Sequence, residues 1–187
     1  MGLTLTTNTH GVSNLNVSIS QTVGDEKFKT LAGLFANMSL EGAPFFRGVF
    51  GEIQFSGNSL GISYAHVAYN GINMQNYLRL NIFRDPYESI DLKMFHNETR
   101  FNNSFGFRRF GGNLSWTYFA GHSIGFGFSQ STALNTTAME AIFKLNLWKS
   151  EKGNCSLDLN SNLIHFIRGP LEGHQDVMAS LTISFAL

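Results

Sequence analysis

Apolar and polar residues alternate with a period of two along most of this chain, and few folds accept that pattern. Leu78, Leu80 and Ile82 share one side of their segment, with Arg79 and Asn81 on the other. Ile90, Leu92 and Met94 alternate with Asp91 and Lys93; Leu114, Trp116 and Tyr118 alternate with Asn113, Ser115 and Thr117. Ile124, Phe126 and Phe128 have glycines between them, and Met139 to Leu147 and Val177 to Phe185 continue the rhythm. A helix needs apolar residues three and four apart, whereas a strand sends successive side chains to opposite faces. The pattern predicts roughly ten to twelve strands and no helix.

The connections are short and carry turn residues, as in Ser56–Ser59, Ala120–Ser123 and the segments 84–89 and 149–154. Loops this short join antiparallel neighbours, because a parallel pair needs a long crossover. Pro44, Pro86 and Pro170 all fall between strands, where they remove no ladder hydrogen bond.

The chain also repeats itself. Gly57–Ile62 aligns with Gly121–Phe126 at an offset of 64, Leu80-Asn81-Ile82-Phe83 with Leu145-Asn146-Leu147-Trp148 at 65, and Ser89-Ile90-Asp91-Leu92 with Ser156-Leu157-Asp158-Leu159 at 67. The drift falls in the loops. The expected organisation is one compact fold with N-terminal strands over 1–44, a first repeat unit over 45–110 and a second unit with a closing strand over 111–187. The expected fold class is all-β: an antiparallel up-and-down meander closing into a barrel-like sheet built from two repeated units, since closure removes the exposed edges.

Composition excludes several function classes. Only 14% of residues are charged, against about 25% in ordinary domains. The polar content comes from Asn, Ser, Thr and Gly, alongside 18 Phe and 19 Gly. Thirteen basic residues balance thirteen acidic ones, so no electrostatic footprint for nucleic acid exists. The single cysteine, Cys155, excludes an intrachain disulfide and a cysteine-based zinc site, and the six histidines are scattered. No phosphate-binding or dinucleotide fingerprint occurs, so no metal, cofactor or cofactor-binding residue is expected. No stretch has the roughly 18 apolar residues of a spanning helix, so no stable span in a host membrane is expected. The opening residues read as a first strand and not as a signal peptide. Gly2 and Thr6 fit the permissive myristoylation pattern, which the strand reading outweighs. The seven Asn-x-Ser/Thr sequons follow from the abundance of those residues.

No nucleophile, base and orienting group can be assembled. Cys155 reads as a small, partly buried side chain; His66, His96 and His122 read as polar-face or hairpin residues. Asp91 and Asp158 hold equivalent repeat positions and are expected on a solvated face. No catalytic residue and no enzymatic activity are expected. The alternating aromatic faces admit two readings: a packed core, or a barrel with a wet interior and a lipid-facing exterior. The first places Leu145, Leu147, Phe126, Phe128 and Ile183 in one interior and sets Phe83 and Trp148 on the opposite, exposed face. Gly125 and Gly127 then let the sheet bend or let rings pack on bare backbone. A spanning barrel needs strands of about 9–11 residues with an apolar belt on every outward face, and many apolar runs read shorter.

The second unit resembles the C-terminal glycine-rich region of the attacins, insect antibacterial proteins of the humoral immune response. Gly111-Gly112, Tyr118, Lys144-Leu145-Asn146-Leu147-Trp148 and Ser156-Leu157-Asp158 match that region in order. The first unit, with Gly57 to His66, is similar to the first glycine-rich domain, and residues 17–37 and 177–187 resemble the family's N-terminal portion and closing strand. The resemblance implies an extracellular effector that acts on Gram-negative bacteria at the lipopolysaccharide-bearing outer membrane. The unmatched signal peptide resembles a branch of the family that lacks one, which leaves intracellular retention as the alternative location, and a monomer is expected. Phe83, Trp148, Arg108 and Arg109 are the candidate contacts with membrane or lipopolysaccharide. A membrane-spanning or ligand-carrying β-barrel is the alternative.

Overall fold

The computed structural model describes residues 2–8, 13–25, 27–39, 46–67, 71–101, 105–118, 121–132, 135–152 and 154–186. They form twelve strands: β1 (Gly2–Asn8), β2 (Ser13–Gly24), β3 (Phe28–Ser39), β4 (Phe46–Phe55), β5 (Asn58–Val67), β6 (Gly71–Arg84), β7 (Ser89–Phe101), β8 (Gly106–Tyr118), β9 (His122–Ser131), β10 (Thr136–Lys149), β11 (Cys155–Arg168) and β12 (Gln175–Ala186). No α-helix occurs among the described residues. Every strand pairs antiparallel with its sequence neighbours, and β1 pairs with both β2 and β12, which closes the sheet into a barrel.

The turns follow from local chemistry. Ser56 and Gly57 both have positive φ, 48° and 85°, between the paired residues Phe55 and Asn58. Two left-handed central residues match the twist of the flanking strands, the geometry of a type I′ hairpin. In the β2–β3 turn the Asp25 carboxylate accepts the backbone N–H groups of Lys27 and Phe28 at 2.8 and 2.9 Å. Asp85 does the same for Tyr87 and Glu88 at 2.7 Å each in the β6–β7 turn.

Inside the barrel, rings rest on neighbouring glycines. A Cβ on Gly61 would meet the Tyr77 ring at 2.2 Å, so only a bare backbone admits that ring. Phe50 lies over Gly33 and Phe35 over Gly48 in the same way. Ring packing on bare backbone thus occurs at glycines other than Gly125 and Gly127, where it is expected from the sequence. Gly125 and Gly127 alternate with Ile124, Phe126 and Phe128, and the rings of Phe126 and Phe128 face away from the interior.

Candidate functional site: an apolar exterior around a polar lumen

The register decides which alternating face points in. Asp91 pairs with Asn81 and Ser115, Lys93 with Arg79 and Asn113, Glu140 with Gly127, and Asp158 with Asn146 and Thr182. These polar residues share the inner face, where Asp91 and Asp158 are 3% and 6% exposed. The outer face carries Leu60, Ile62, Leu114, Phe126, Phe128, Phe143, Leu145 and Leu147, all well exposed. Ala65 and Ala138 are the only buried hydrophobic residues among those described. The expected apolar interior is therefore inverted. Leu145, Leu147, Phe126 and Phe128 face outward, Ile183 shares their face through its partner Leu157, and the carboxylates expected on a solvated face are enclosed. Of the two readings of the aromatic faces, the wet-interior barrel matches.

The exterior has the proportions of a hydrocarbon belt. Strands β2 to β12 are 10 to 14 residues long, as a tilted spanning strand requires. On β10 the outward residues run from Met139 to Leu147; at about 3.4 Å per residue and a tilt near 40° they cover about 20 Å of height. The belt that apolar run lengths did not reveal is assembled by the register, since each strand supplies only every second residue. At the end that carries the β2–β3, β4–β5, β6–β7, β8–β9 and β10–β11 turns, the exposed aromatic side chains include Phe28, Phe55, Phe83, Tyr87, Trp116, Tyr118 and Trp148. Aromatic residues concentrate at this level in membrane proteins because their rings suit the headgroup boundary. The Trp116 indole N–H also bonds the Glu88 carboxylate at 2.8 Å.

Phe83 and Trp148 do not lie opposite Ile82 and Leu147. A bulge between Asn81 and Phe83 sets Phe83 against Ile90, and another between Asn146 and Trp148 sets Trp148 against Leu157. The extra residue reverses the alternation, so Ile82 and Phe83, like Leu147 and Trp148, all face out, 43% to 59% exposed.

The bulges explain the repeated sequence. The Asn81 side-chain amide donates to the Phe83 carbonyl at 3.2 Å and to Asp91 at 2.8 Å; the Asn146 amide donates to the Trp148 carbonyl at 3.4 Å and to Asp158 at 2.7 Å. Ser89 and Ser156 add hydroxyl donors to the same carboxylates at 3.4 and 3.3 Å. Arg79 lies 2.8 Å from Asp91, and Lys144 lies 3.3 Å from Asp158. The backbone N–H of each bulge asparagine is accepted in turn by Asn58 Oδ1 at 2.8 Å or by His122 Nδ1 at 3.2 Å. Leu-Asn-x-aromatic followed by Ser-x-Asp is thus a bulge and the carboxylate that pins it, built twice.

Further lumen groups are paired as well, although the buried Asn162 Oδ1 has no hydrogen-bond partner among the described residues. Arg109 bonds Glu140 and Ser129, and Tyr77 bonds Glu52. A lumen cavity of about 290 Å³ is lined by Glu52, Tyr77, Arg79, Asp91 and Lys93 among others. Arg108 and Arg109 separate: Arg109 points into the lumen, while Arg108 faces out beside Glu98 at 3.5 Å. Cys155 is a half-buried free thiol, His66 and His96 share the outward register, and His122 caps the second bulge. No group of three or more His, Cys, Asp or Glu with metal-binding geometry occurs among the described residues. Sequence reasoning missed Glu98, Arg100, Glu140 and the bulge asparagines; the doubled Leu-Asn-x-aromatic string was the available signal for the last of these.

The family model described as "Attacin, C-terminal region" matches residues 70–186. Attacin-A of Glossina morsitans morsitans is 27% identical over 183 residues, covering 98% of this chain and 88% of that protein. Sarcotoxin II-1 of Sarcophaga peregrina is 25% identical over 185 residues; the match covers 98% of this chain and 64% of that one. Among solved structures, a KdgM porin in complex with disordered oligogalacturonate superposes with a TM-score of 0.62 at 11% identity, covering 100% of this chain and 99% of that chain. That likeness is one of fold.

Proposed function

This chain belongs to the attacin family of antibacterial immune proteins, and from that membership we propose that it acts on Gram-negative bacteria by placing its own barrel across the lipopolysaccharide-bearing outer membrane. One observation carries the reading: the apolar members of the strands face outward as a belt, and the ion pairs Arg79–Asp91, Arg109–Glu140 and Lys144–Asp158 face inward. A water-soluble barrel has the reverse arrangement. In the bilayer every backbone polar group needs an internal partner, and a closed sheet provides one without leaving an edge. The protein works outside the producing cell, as a monomer and without catalysis. Phe83 and Trp148 sit in the aromatic girdle at the headgroup level, and Arg108 sits on the outer surface at the other end. Arg109, facing the lumen, takes no part in lipid contact.

The chain's two tryptophans, Trp116 and Trp148, share one rim, which makes insertion measurable. The purified protein is mixed with vesicles carrying quenchers either near the headgroups or at the bilayer centre. Insertion gives strong quenching by the shallow label and weak quenching by the deep one, together with growth inhibition of Gram-negative but not Gram-positive cells. A protein that stays folded and monomeric in water, with neither quencher active, would overturn the proposal.

A further inference from the structure

We propose that the outer wall at β7–β9 is a binding site for one phosphorylated acyl lipid, with the head group held by Arg100 and Arg108 and an acyl chain in the trough beside Gly112. This inference rests on the membrane reading above and assigns it a specific lipid. At the end of the barrel away from the aromatic girdle, Glu98 Oε1 is held by Arg100 at 2.7 Å and by Arg108 Nε at 3.5 Å. The two arginine side chains are 66% and 60% exposed, whereas Glu98 is 18% exposed. One carboxylate thus braces two guanidinium groups, leaves the cluster with a charge of +1, and leaves most of their N–H donors pointing outward. The Arg108 backbone is fixed by an exchange with Thr132: its N–H donates to Oγ1 at 3.0 Å, and its carbonyl accepts the Thr132 N–H at 2.9 Å. A cleft of about 540 Å³ at this level includes Phe101 and Phe105, stacked at 6.2 Å. Guanidinium forks match phosphate oxygens in geometry and charge.

Further down the same face lies an apolar trough of about 620 Å³. Phe110, Phe128, Met94, Leu114 and Met139 wall it, and Gly112, without a side chain, leaves its floor open. Arg108, Phe110 and Gly112 occupy successive outward positions of β8, so the trough begins at Phe110, about 7 Å along the strand from Arg108, and its open floor at Gly112 lies about 13 Å away. A charged cluster directly above a hydrocarbon-lined trough fits an amphiphile, and neither half alone would select one. The charge sign excludes a cationic head, and the trough gives a free anion nothing to occupy.

The test uses the full chain in detergent micelles, so it does not depend on bilayer insertion. Native mass spectrometry follows its titration with phosphatidic acid or phosphatidylcholine. The expected result is one retained phosphatidic acid at about tenfold preference over phosphatidylcholine. Arg100→Gln with Arg108→Gln removes the preference and leaves phosphatidylcholine retention unchanged. Gly112→Leu lowers retention of both lipids; its Cβ would lie 3.1 Å from the Lys93 carbonyl, so Phe128→Asn on the trough wall repeats that arm without crowding the backbone. Retention unaffected by the arginine changes, or competition by inorganic phosphate as effective as by the lipid, overturns the proposal. Failed tryptophan quenching with intact lipid selectivity would instead refute insertion and leave this site standing.

Discussion

Phe126 and Tyr118 both face outward, at 61% and 54% exposure, but at different heights on the barrel. Phe126 pairs with Leu114 near the middle of the outward run on β8, whereas Tyr118 is the last residue of that strand, in the girdle. Replacing each with lysine tests whether the belt meets hydrocarbon. A lysine at the midplane of a lipid-facing strand costs about 2–4 kcal/mol, falling to about 0–1 kcal/mol near the interface. For Phe126→Lys that is roughly a 30-fold to nearly 1,000-fold loss in the folding equilibrium, and for Tyr118→Lys at most about fivefold. The assay is equilibrium unfolding by denaturant from phosphatidylcholine vesicles, followed by tryptophan emission. In water the two substitutions, both at exposed positions, have no reason to differ. Equal penalties at the two positions, or a larger one at Tyr118, would refute the depth assignment and with it the bilayer as the surroundings of this face.

Asn81→Ala and Asn146→Ala each remove a donor from a buried carboxylate and are expected to cost about 1–3 kcal/mol in the same assay. The two clamps lie four strands apart, so the double variant should show the sum to within about 0.5 kcal/mol. Gly61→Val drives a Cβ into the Tyr77 ring and should destabilise by about 1–3 kcal/mol, with loss of the Tyr77–Glu52 bond visible in the tyrosine absorption spectrum. The N–H groups of Phe28 and Lys27 hold the Asp25 carboxyl below its ordinary pKa. Its contribution to the turn is therefore complete above the unfolded carboxylate pKa and is lost as pH falls through the lower folded value; an NMR titration should find Asp25 ionising below an aspartate in an unstructured peptide.

The strands and their antiparallel order were legible because side-chain direction in a strand depends only on parity, and the alternation of Leu80, Leu92, Leu114 and Phe126 preserves it. Which parity faces inward was not legible. A closed sheet has two faces, and a polar set dominated by Asn, Ser and Thr suits either a wet lumen or a soluble surface. Register supplied the missing information by bringing Arg79 to Asp91 and Arg109 to Glu140, pairs 12 and 31 residues apart that no local pattern connects. The placement of Phe83 and Trp148 failed for a specific reason. One extra residue in a bulge shifts parity, and nothing in Leu-Asn-x-aromatic distinguishes a bulged strand from a regular one. Arg108 and Arg109 looked like one cationic site because they adjoin in sequence, yet adjacency in a strand is what sends two side chains to opposite faces.

Two conditions govern a β-barrel in hydrocarbon, and they fall on different residues here. The exterior must need no water, which Leu60, Ile62, Leu114, Phe126, Leu145 and Leu147 satisfy over the middle of the wall. The interior must keep its charges from resisting entry, and Arg79–Asp91, Arg109–Glu140 and Lys144–Asp158 neutralise one another, while Glu52 is held by the Tyr77 hydroxyl and Lys93 lies over the Tyr77 ring. With only Ala65 and Ala138 buried among the described hydrophobic residues, the barrel has almost no apolar core of its own to hold it together in water. On the membrane reading, the apolar area that an ordinary domain buries against itself is buried against lipid, and folding and insertion become one event. The neutral net charge then has a consequence for targeting. No long-range field draws the chain to an anionic surface, so selection falls to short-range contact, and the cluster that combines exposed cationic donors with an adjoining apolar trough is Arg100, Glu98 and Arg108.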